Sequence, residues 1–158
     1  MVAFERKICA PEAFRTRIEQ LPRPLVFTNG CFDLLHRGHA TYLAQARALG
    51  KSLVVGVNSD ESVQRQDKGK NRPVNPLADR MAVLAALESV SLVVAFADDT
   101  PLQLIAVCRP DVLVKGADWA PDEIAGAKEV KAWGGSVVTI PFVYSTSTTR
   151  IIARIRES

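Results

Sequence analysis

Five short apolar runs punctuate the chain: Leu25–Phe27, Leu53–Val57, Leu92–Phe96, Val112–Val114 and Val137–Ile140, each rich in valine and bounded by turn residues. Runs of this length without polar alternation predict strands covered on both faces, the habit of parallel sheets. Between them, apolar positions recur at helical spacing over His39–Leu49, Ser59–Gln66, Leu77–Ser89, Pro101–Cys108, Pro121–Trp133 and Ser147–Arg156. Strands alternating with helices predict a doubly wound, Rossmann-like α/β domain: a five-stranded parallel sheet with helices on both faces. Its ligand crevice is expected at the carboxyl ends of the strands, where strand order reverses. A further helix around Pro11–Leu21, ended by Pro22 and Pro24, is expected to pack on the outside. The pattern thus divides the chain into an N-terminal helical extension, 1–22, and one domain over 23–158.

Composition narrows this picture only slightly. The 158 residues have room for one core, and 47% apolar content is ordinary for a globular chain. A formal charge of +3, spread along the chain, gives no argument for nucleic acid. Cys9, Cys31 and Cys108 are odd in number and lack metal or redox spacing, which fits a reducing cytoplasm. The first seven residues already hold Glu5, Arg6 and Lys7, and no apolar run approaches the roughly 18 residues of a membrane span. A soluble, cytoplasmic protein is expected.

The chemistry concentrates in Thr28-Asn29-Gly30-Cys31-Phe32-Asp33-Leu34-Leu35-His36-Arg37-Gly38-His39, which joins the first strand to a helix. Gly30 permits a sharp turn and close backbone approach to a ligand, and Gly38 removes a side chain between the two histidines. Three residues apart at a helix start, His36 and His39 project from one face, where backbone N–H groups and imidazoles can converge on phosphate. They are the only histidines in the chain. A solvated helix turn is the plainer reading of such a pair; zinc lacks a Cys or Glu at neighbouring ligand spacing, and Asp33 alone completes a tetrahedral site poorly.

Three other segments fall at strand ends on the same edge. The loop Asp67–Pro76 holds Lys68, Lys70 and Arg72 with Gly69 and two prolines, and reads either as a solvated basic loop or as a flap over an anionic substrate. Ser145 to Thr149 place five hydroxyl groups before an amphipathic helix. Capping explains one or two; the others, with the first-turn amides, suit phosphates, and Arg150 adds a fixed charge. In Lys115-Gly116-Ala117-Asp118-Trp119, Gly116 allows close approach, Asp118 can accept from a ribose hydroxyl or base amine, and Trp119 offers either a flat ligand surface or packing. Arg80 lies on a helix whose Met81, Val83, Leu84 and Leu87 are expected to face the core.

The G-x-F-D-x-x-H-x-G-H string and Ser147-Thr148-Thr149-Arg150 resemble the cytidylyltransferase-like nucleotidyltransferases. Phe27–Asp33, Arg72–Leu77 and Leu113–Trp119 resemble the heptose 1-phosphate branch of that family, and the likeness runs over residues 22 to 156. It implies direct transfer of AMP from ATP to a sugar 1-phosphate, with Mg²⁺ neutralising the triphosphate, for ADP-heptose used in cell-envelope lipopolysaccharide. His36, His39, Lys68 and Arg80 would then be catalytic. Thr28 to Phe32, Lys115, Gly116, Asp118 and Ser147 to Arg150 would hold the nucleotide, Cys31 as a small filler without chemistry of its own. Asp33, Asn58, Lys70 and Arg72 would serve the acceptor, with Asp33 also open to a metal or a capping role. Relatives often carry an acidic residue where Ala117 stands. The resemblance further implies a homo-oligomer and, since only about 20 residues precede the first strand, a separate heptose kinase. A cytidylyltransferase for glycerol 3-phosphate or another alcohol phosphate, and a nucleotide-binding module without catalysis, are the competing readings.

Overall fold

The computed structural model describes residues 1–66 and 68–158; Asp67, the first residue of the basic loop, lies outside the described residues. Strands β1 (Ile8–Cys9), β2 (Leu25–Gly30), β3 (Ser52–Asn58), β4 (Leu92–Phe96), β5 (Val112–Gly116) and β6 (Ser136–Ile140) form one parallel sheet in the order β1-β4-β3-β2-β5-β6. The sheet has six strands where the apolar pattern predicts five. Ile8 pairs with Val93 and Cys9 with Val94, adding a short edge strand from the segment preceding the expected outer helix. Two residues are too few to show a period, so pairing rather than pattern defines this strand.

Among the described residues, seven α-helices cover the sheet: α1 (Phe14–Glu19), α2 (Arg37–Arg47), α3 (Asp60–Arg65), α4 (Leu77–Ala86), α5 (Leu102–Cys108), α6 (Ala127–Ala132) and α7 (Thr148–Arg156). Successive residues of a strand point to opposite faces, and the core divides accordingly. On one face Val26, Val55 and Val93 pack with Tyr42, Leu43 and Ala46 of α2 and Met81 and Leu84 of α4. On the other, Leu25, Phe27, Val54 and Leu113 pack with Phe14 and Ile18 of α1, Ile105 of α5 and Val130 of α6. Val83, expected to face the core, is instead exposed on α4. The helix expected over Pro121–Trp133 is interrupted: a 3-10 turn spans Pro121–Glu123, and α6 starts only after Gly126, whose φ of 85° is a left-handed conformation that glycine adopts without a Cβ penalty.

Chain order reverses between β2 and β5. From β2 the connections run outward through β3 and β4, then cross back to β5 and β6. The crevice of such a sheet opens between the carboxyl ends of the two strands at the reversal, which here are Asn29-Gly30 and Lys115-Gly116.

The turn from α2 into β3 passes close beneath the start of β2, where Lys51 N–H donates to the Pro24 carbonyl at 2.8 Å. A Cβ on Gly50 would lie 2.5 Å from that same carbonyl oxygen, and a backbone atom has no rotamer by which to retreat. Gly50→Ala is therefore expected to destabilise the fold by about 1–3 kcal/mol, the usual cost of overpacking, read as a lower urea midpoint at unchanged m-value. An unaltered midpoint would show that the turn has slack.

Candidate active site

The signature segment leaves β2 and turns through Phe32, whose φ of 47° is a left-handed conformation uncommon for a bulky residue. Its ring fills the space beside Gly30, where a Cβ would come within 3.0 Å of Phe32 Cε2. The same ring meets the edge of His39, centroids 5.4 Å apart. The glycine thus serves ring packing as well as the turn.

Asp33 comes next and is fully committed. Its Oδ2 accepts from Arg72 Nε at 2.6 Å and from Val74 N–H at 2.9 Å, and its Oδ1 accepts from Val74 and Asn75 N–H, both at 2.9 Å. Asn75 Nδ2 donates to the Asp33 carbonyl. Burial works against the charged carboxyl, but the Asn75 and Val74 amides and the Arg72 guanidinium outweigh it and hold the carboxyl below its ordinary value. Neither a capping role nor a vacant ligand oxygen remains for it, although Asp33 and Arg72 both line the cavity.

His36 is the N-cap of α2, and its Nδ1 accepts from Gly38 N–H at 3.1 Å. An accepting Nδ1 puts the proton of the neutral ring on Nε2. A Cβ on Gly38 would sit 2.9 Å from His36 Cε1, so only glycine lets the ring fold back this way. The His36 and His39 rings stack with centroids 3.9 Å apart and planes inclined by 26°, as their spacing on one helix face predicts. Among the described residues, His39 Nδ1 is the one buried side-chain nitrogen or oxygen without a hydrogen-bond partner. Burial, with the charges of His36 and Lys68 adding to it, pushes His39 down from 6.5 to about 4, and burial also lowers His36. At neutral pH His39 is an uncharged imidazole.

A second helix start faces the first. Ser147 caps α7 by accepting from Arg150 N–H at 3.1 Å, while Thr148 Oγ1 donates to the Leu34 carbonyl at 3.1 Å and accepts from Leu34 N–H at 3.4 Å. Those two bonds fasten α7 to the signature loop. Arg37 stacks over the Tyr144 ring at 4.1 Å and ties the same two segments again.

Between these elements opens a cavity of about 550 Å³. It is lined by Asn29, Gly30, Cys31, Phe32 and Asp33 of the signature segment, His39 and Tyr42 of α2, Thr148 and Thr149 of α7, Lys115, Gly116, Asp118 and Trp119 at the end of β5, Phe142, and Lys68 and Arg72 from the basic loop. Most of the residues expected at the site thus converge. Lys68 Nζ donates to Cys31 Sγ at 3.3 Å, and Lys115 Nζ to the Asn29 carbonyl at 3.4 Å, 5.4 Å from the centre of the Trp119 ring. Burial lowers the Lys115 ammonium, Lys68 adding to the effect while Cys31 and Asp118 oppose it.

Other expected residues lie elsewhere. Thr28 is fully buried and does not line the cavity, its hydroxyl 2.8 Å from Tyr42 Oη. Asn58 donates to Ser62 Oγ at 2.9 Å and lines a neighbouring cavity, and Lys70 lines a groove beside α7. Arg150 donates to the Ser145 carbonyl at 2.5 Å, and neither it, Ser147 nor His36 lines the main cavity. Arg80, expected among the catalytic residues, is 1% exposed and away from the cavity. Its guanidinium donates to the carbonyls of Cys31 at 2.6 Å and Asn75 at 3.0 Å and pairs with Asp60 at 2.7 Å, bracing the signature segment from beneath. The pattern alone misses Tyr42 and Phe142. Tyr42 stands three residues after His39 on the same helix face, a spacing that could have exposed it; burial raises its phenol to about 12.

The cavity thus gathers residues at the start of α7, the His39 imidazole and two lysines, groups whose chemistry suits phosphate. The cytidylyltransferase-like family model matches residues 27–154. The chain belongs to the cytidylyltransferase-like family. It is 55% identical over 156 residues to the D-beta-D-heptose 1-phosphate adenylyltransferase of Bordetella bronchiseptica, covering 98% of this chain and 96% of that one. It is 50% identical over 157 residues to the bifunctional protein HldE of Pseudomonas paraeruginosa, covering 99% of this chain but 32% of that protein, so it spans about a third of the bifunctional relative's length. The crystal structure of the lipopolysaccharide core biosynthesis protein from Thermoplasma volcanium superposes with a TM-score of 0.63 at 25% identity, covering 77% of this chain and 98% of that one. Among the described residues of this family member, no helix is long and apolar enough to cross a membrane.

Because the folded-state value of His39 lies below 6.5, the unfolded chain binds more protons between about pH 6.5 and pH 4. The stability tied to a neutral His39 is therefore fully present above that window and lost as the pH falls through it. Proton NMR of the two imidazole Cε1–H signals is expected to show one transition near pH 4 that is absent from His39→Gln. Two transitions near 6.5 would contradict a buried, neutral His39.

Proposed function

We propose that this chain transfers the AMP moiety of ATP to a heptose 1-phosphate, giving ADP-heptose and pyrophosphate. What carries the reading is the extent of the likeness to the Bordetella enzyme, 55% identity over 98% of this chain. The geometry described above is consistent with the same reaction. An oxygen of the sugar phosphate attacks the α-phosphorus of ATP; the new P–O bond forms as the bond to the bridging β-phosphate oxygen breaks, and pyrophosphate leaves with the electron pair. The acceptor is already ionised at neutral pH, so catalysis needs positioning and charge stabilisation rather than a base.

His39, held neutral, would donate an N–H to the non-bridging oxygens as charge builds there, with His36 stacked against it and its own proton on Nε2. Lys68 and Lys115, both lining the cavity, would supply positive charge. Thr148 and Thr149, at the start of α7, would receive the β- and γ-phosphates. ATP is taken to enter as its magnesium complex, a part of the substrate. Asp33 does not fit as a protein ligand for that ion, because both its oxygens are occupied by Arg72 and the loop amides. Among the described residues no group of three His, Cys, Asp or Glu side chains could hold a metal.

Purified chain with ATP, Mg²⁺ and a β-configured heptose 1-phosphate is expected to release pyrophosphate and ADP-heptose, and free heptose none. His39→Ala is expected to lower kcat by about 10²–10³, the scale of one oxyanion-type donor, with little change in nucleotide affinity. CDP-glycerol formation from CTP and glycerol 3-phosphate without any heptose product would overturn the acceptor, and an unchanged kcat in His39→Ala would overturn the catalytic assignment.

A further inference from the structure

Adjoining the main cavity lies a second cavity of about 510 Å³. Asn29, Gly30, Cys31, Lys68, Lys115 and Trp119 line both, so the two are lobes of one crevice that meet at the ends of β2 and β5. Away from that shared wall the lobes differ in chemistry. The first has the aromatic surface of Phe142, the carboxylate of Asp118 and the hydroxyls at the start of α7. The second has the amides of Asn58 and Gln66, the hydroxyl of Thr100 and the carboxylates of Asp99 and Glu123. Arg65 Nε holds Asp99 Oδ1 at 2.9 Å, which leaves Glu123 as the carboxylate without a cation of its own among the described contacts. The cations lining this lobe are Lys68 and Lys115, both on the shared wall.

A triphosphate extended into the second lobe would meet the Glu123 carboxylate and an Asp99 already paired with Arg65, with no lining cation beyond Lys68 and Lys115. A molecule with one phosphate at one end and an uncharged, hydroxyl-rich body matches it: charge at the wall, hydrogen-bond donors and acceptors beyond. In-line displacement also requires the entering oxygen and the leaving pyrophosphate on opposite sides of the α-phosphorus, and Thr148 and Thr149 line the first lobe alone. We infer that the second lobe holds the sugar body of the acceptor, its phosphate lying at the shared wall by Lys68 and Lys115, and that Gln66, Thr100 and Glu123 select it by hydrogen bonds to its hydroxyl groups. The inference rests on the proposed function for the identity of the sugar, but not for the division of the crevice.

The test uses the full chain and two readouts: the dissociation constant of α,β-methylene-ATP, and KM for heptose 1-phosphate at saturating ATP. Thr100 and Glu123 are exposed loop residues, so Thr100→Trp, which fills the lobe, and Glu123→Gln, which keeps its shape, are not expected to impair folding. Thr100→Trp is expected to raise the acceptor KM or abolish turnover, and Glu123→Gln to raise KM about tenfold, a typical penalty for one lost hydrogen bond to a substrate hydroxyl. Both are expected to leave analogue affinity within about twofold, whereas Asp118→Ala in the first lobe is expected to weaken it. Loss of analogue affinity in Thr100→Trp, or unchanged acceptor KM in both second-lobe variants, would overturn the inference. The analogue measurement needs no acceptor: a wrong sugar would appear as no turnover by the unaltered chain, with the division of the crevice still read from analogue binding.

Discussion

The site depends on a single buried carboxylate. Asp33 takes the guanidinium of Arg72 and the amides of Val74 and Asn75, and so fastens the loop after β2 to the loop before α4 across 39 to 42 residues of sequence. An unpaired buried carboxylate is costly, and one with a full set of donors is both tolerated and rigidly oriented. Arg80 completes the frame from below by holding the Cys31 and Asn75 carbonyls together with Asp60. The turn through Phe32, strained by its positive φ, is over-determined by these bonds, as backbone strain at a ligand site must be if it is to persist.

With that segment fixed, the two helix starts can be placed against each other. Thr148 bonds both backbone groups of Leu34, so α7 is registered on the same loop that presents His39. The consequence is electrostatic preorganisation: donors, helix ends and two lysines are set before any substrate arrives, where burial disfavours the charged forms of His39 and Lys115. Binding of an anionic substrate supplies the opposite charge that such a cavity lacks.

Much of this was legible in the chain itself. Leu92–Phe96 is a strand to the residue, Leu53–Val57 and Val137–Ile140 fall one residue short at one or both ends, and Leu25–Phe27 and Val112–Val114 mark the starts of strands whose ladders continue through polar residues to the ligand edge at Asn29-Gly30 and Lys115-Gly116. The spacing of His36 and His39 foretells rings on one helix face, and the structure adds that they stack. What periodicity could not supply was partnership. Arg80 reads as a polar residue on an apolar helix, and only contacts 20 and 49 residues away turn it into the largest fully buried side chain. Asp33 reads as an acceptor contact, a metal ligand or a cap until Arg72 is beside it, and Ile8–Cys9 becomes a strand only through pairing with β4.

The central claim is direct transfer within this frame: acceptor oxygen and departing pyrophosphate on opposite sides of the α-phosphorus, with no covalent enzyme intermediate. The stereochemistry at phosphorus tests it most directly. With one diastereomer of adenosine 5′-(1-thiotriphosphate) and heptose 1-phosphate, a single in-line displacement predicts ADP-heptose inverted at the α-phosphorus. Retention of configuration would require two displacements through a nucleotidylated side chain, and would contradict the account.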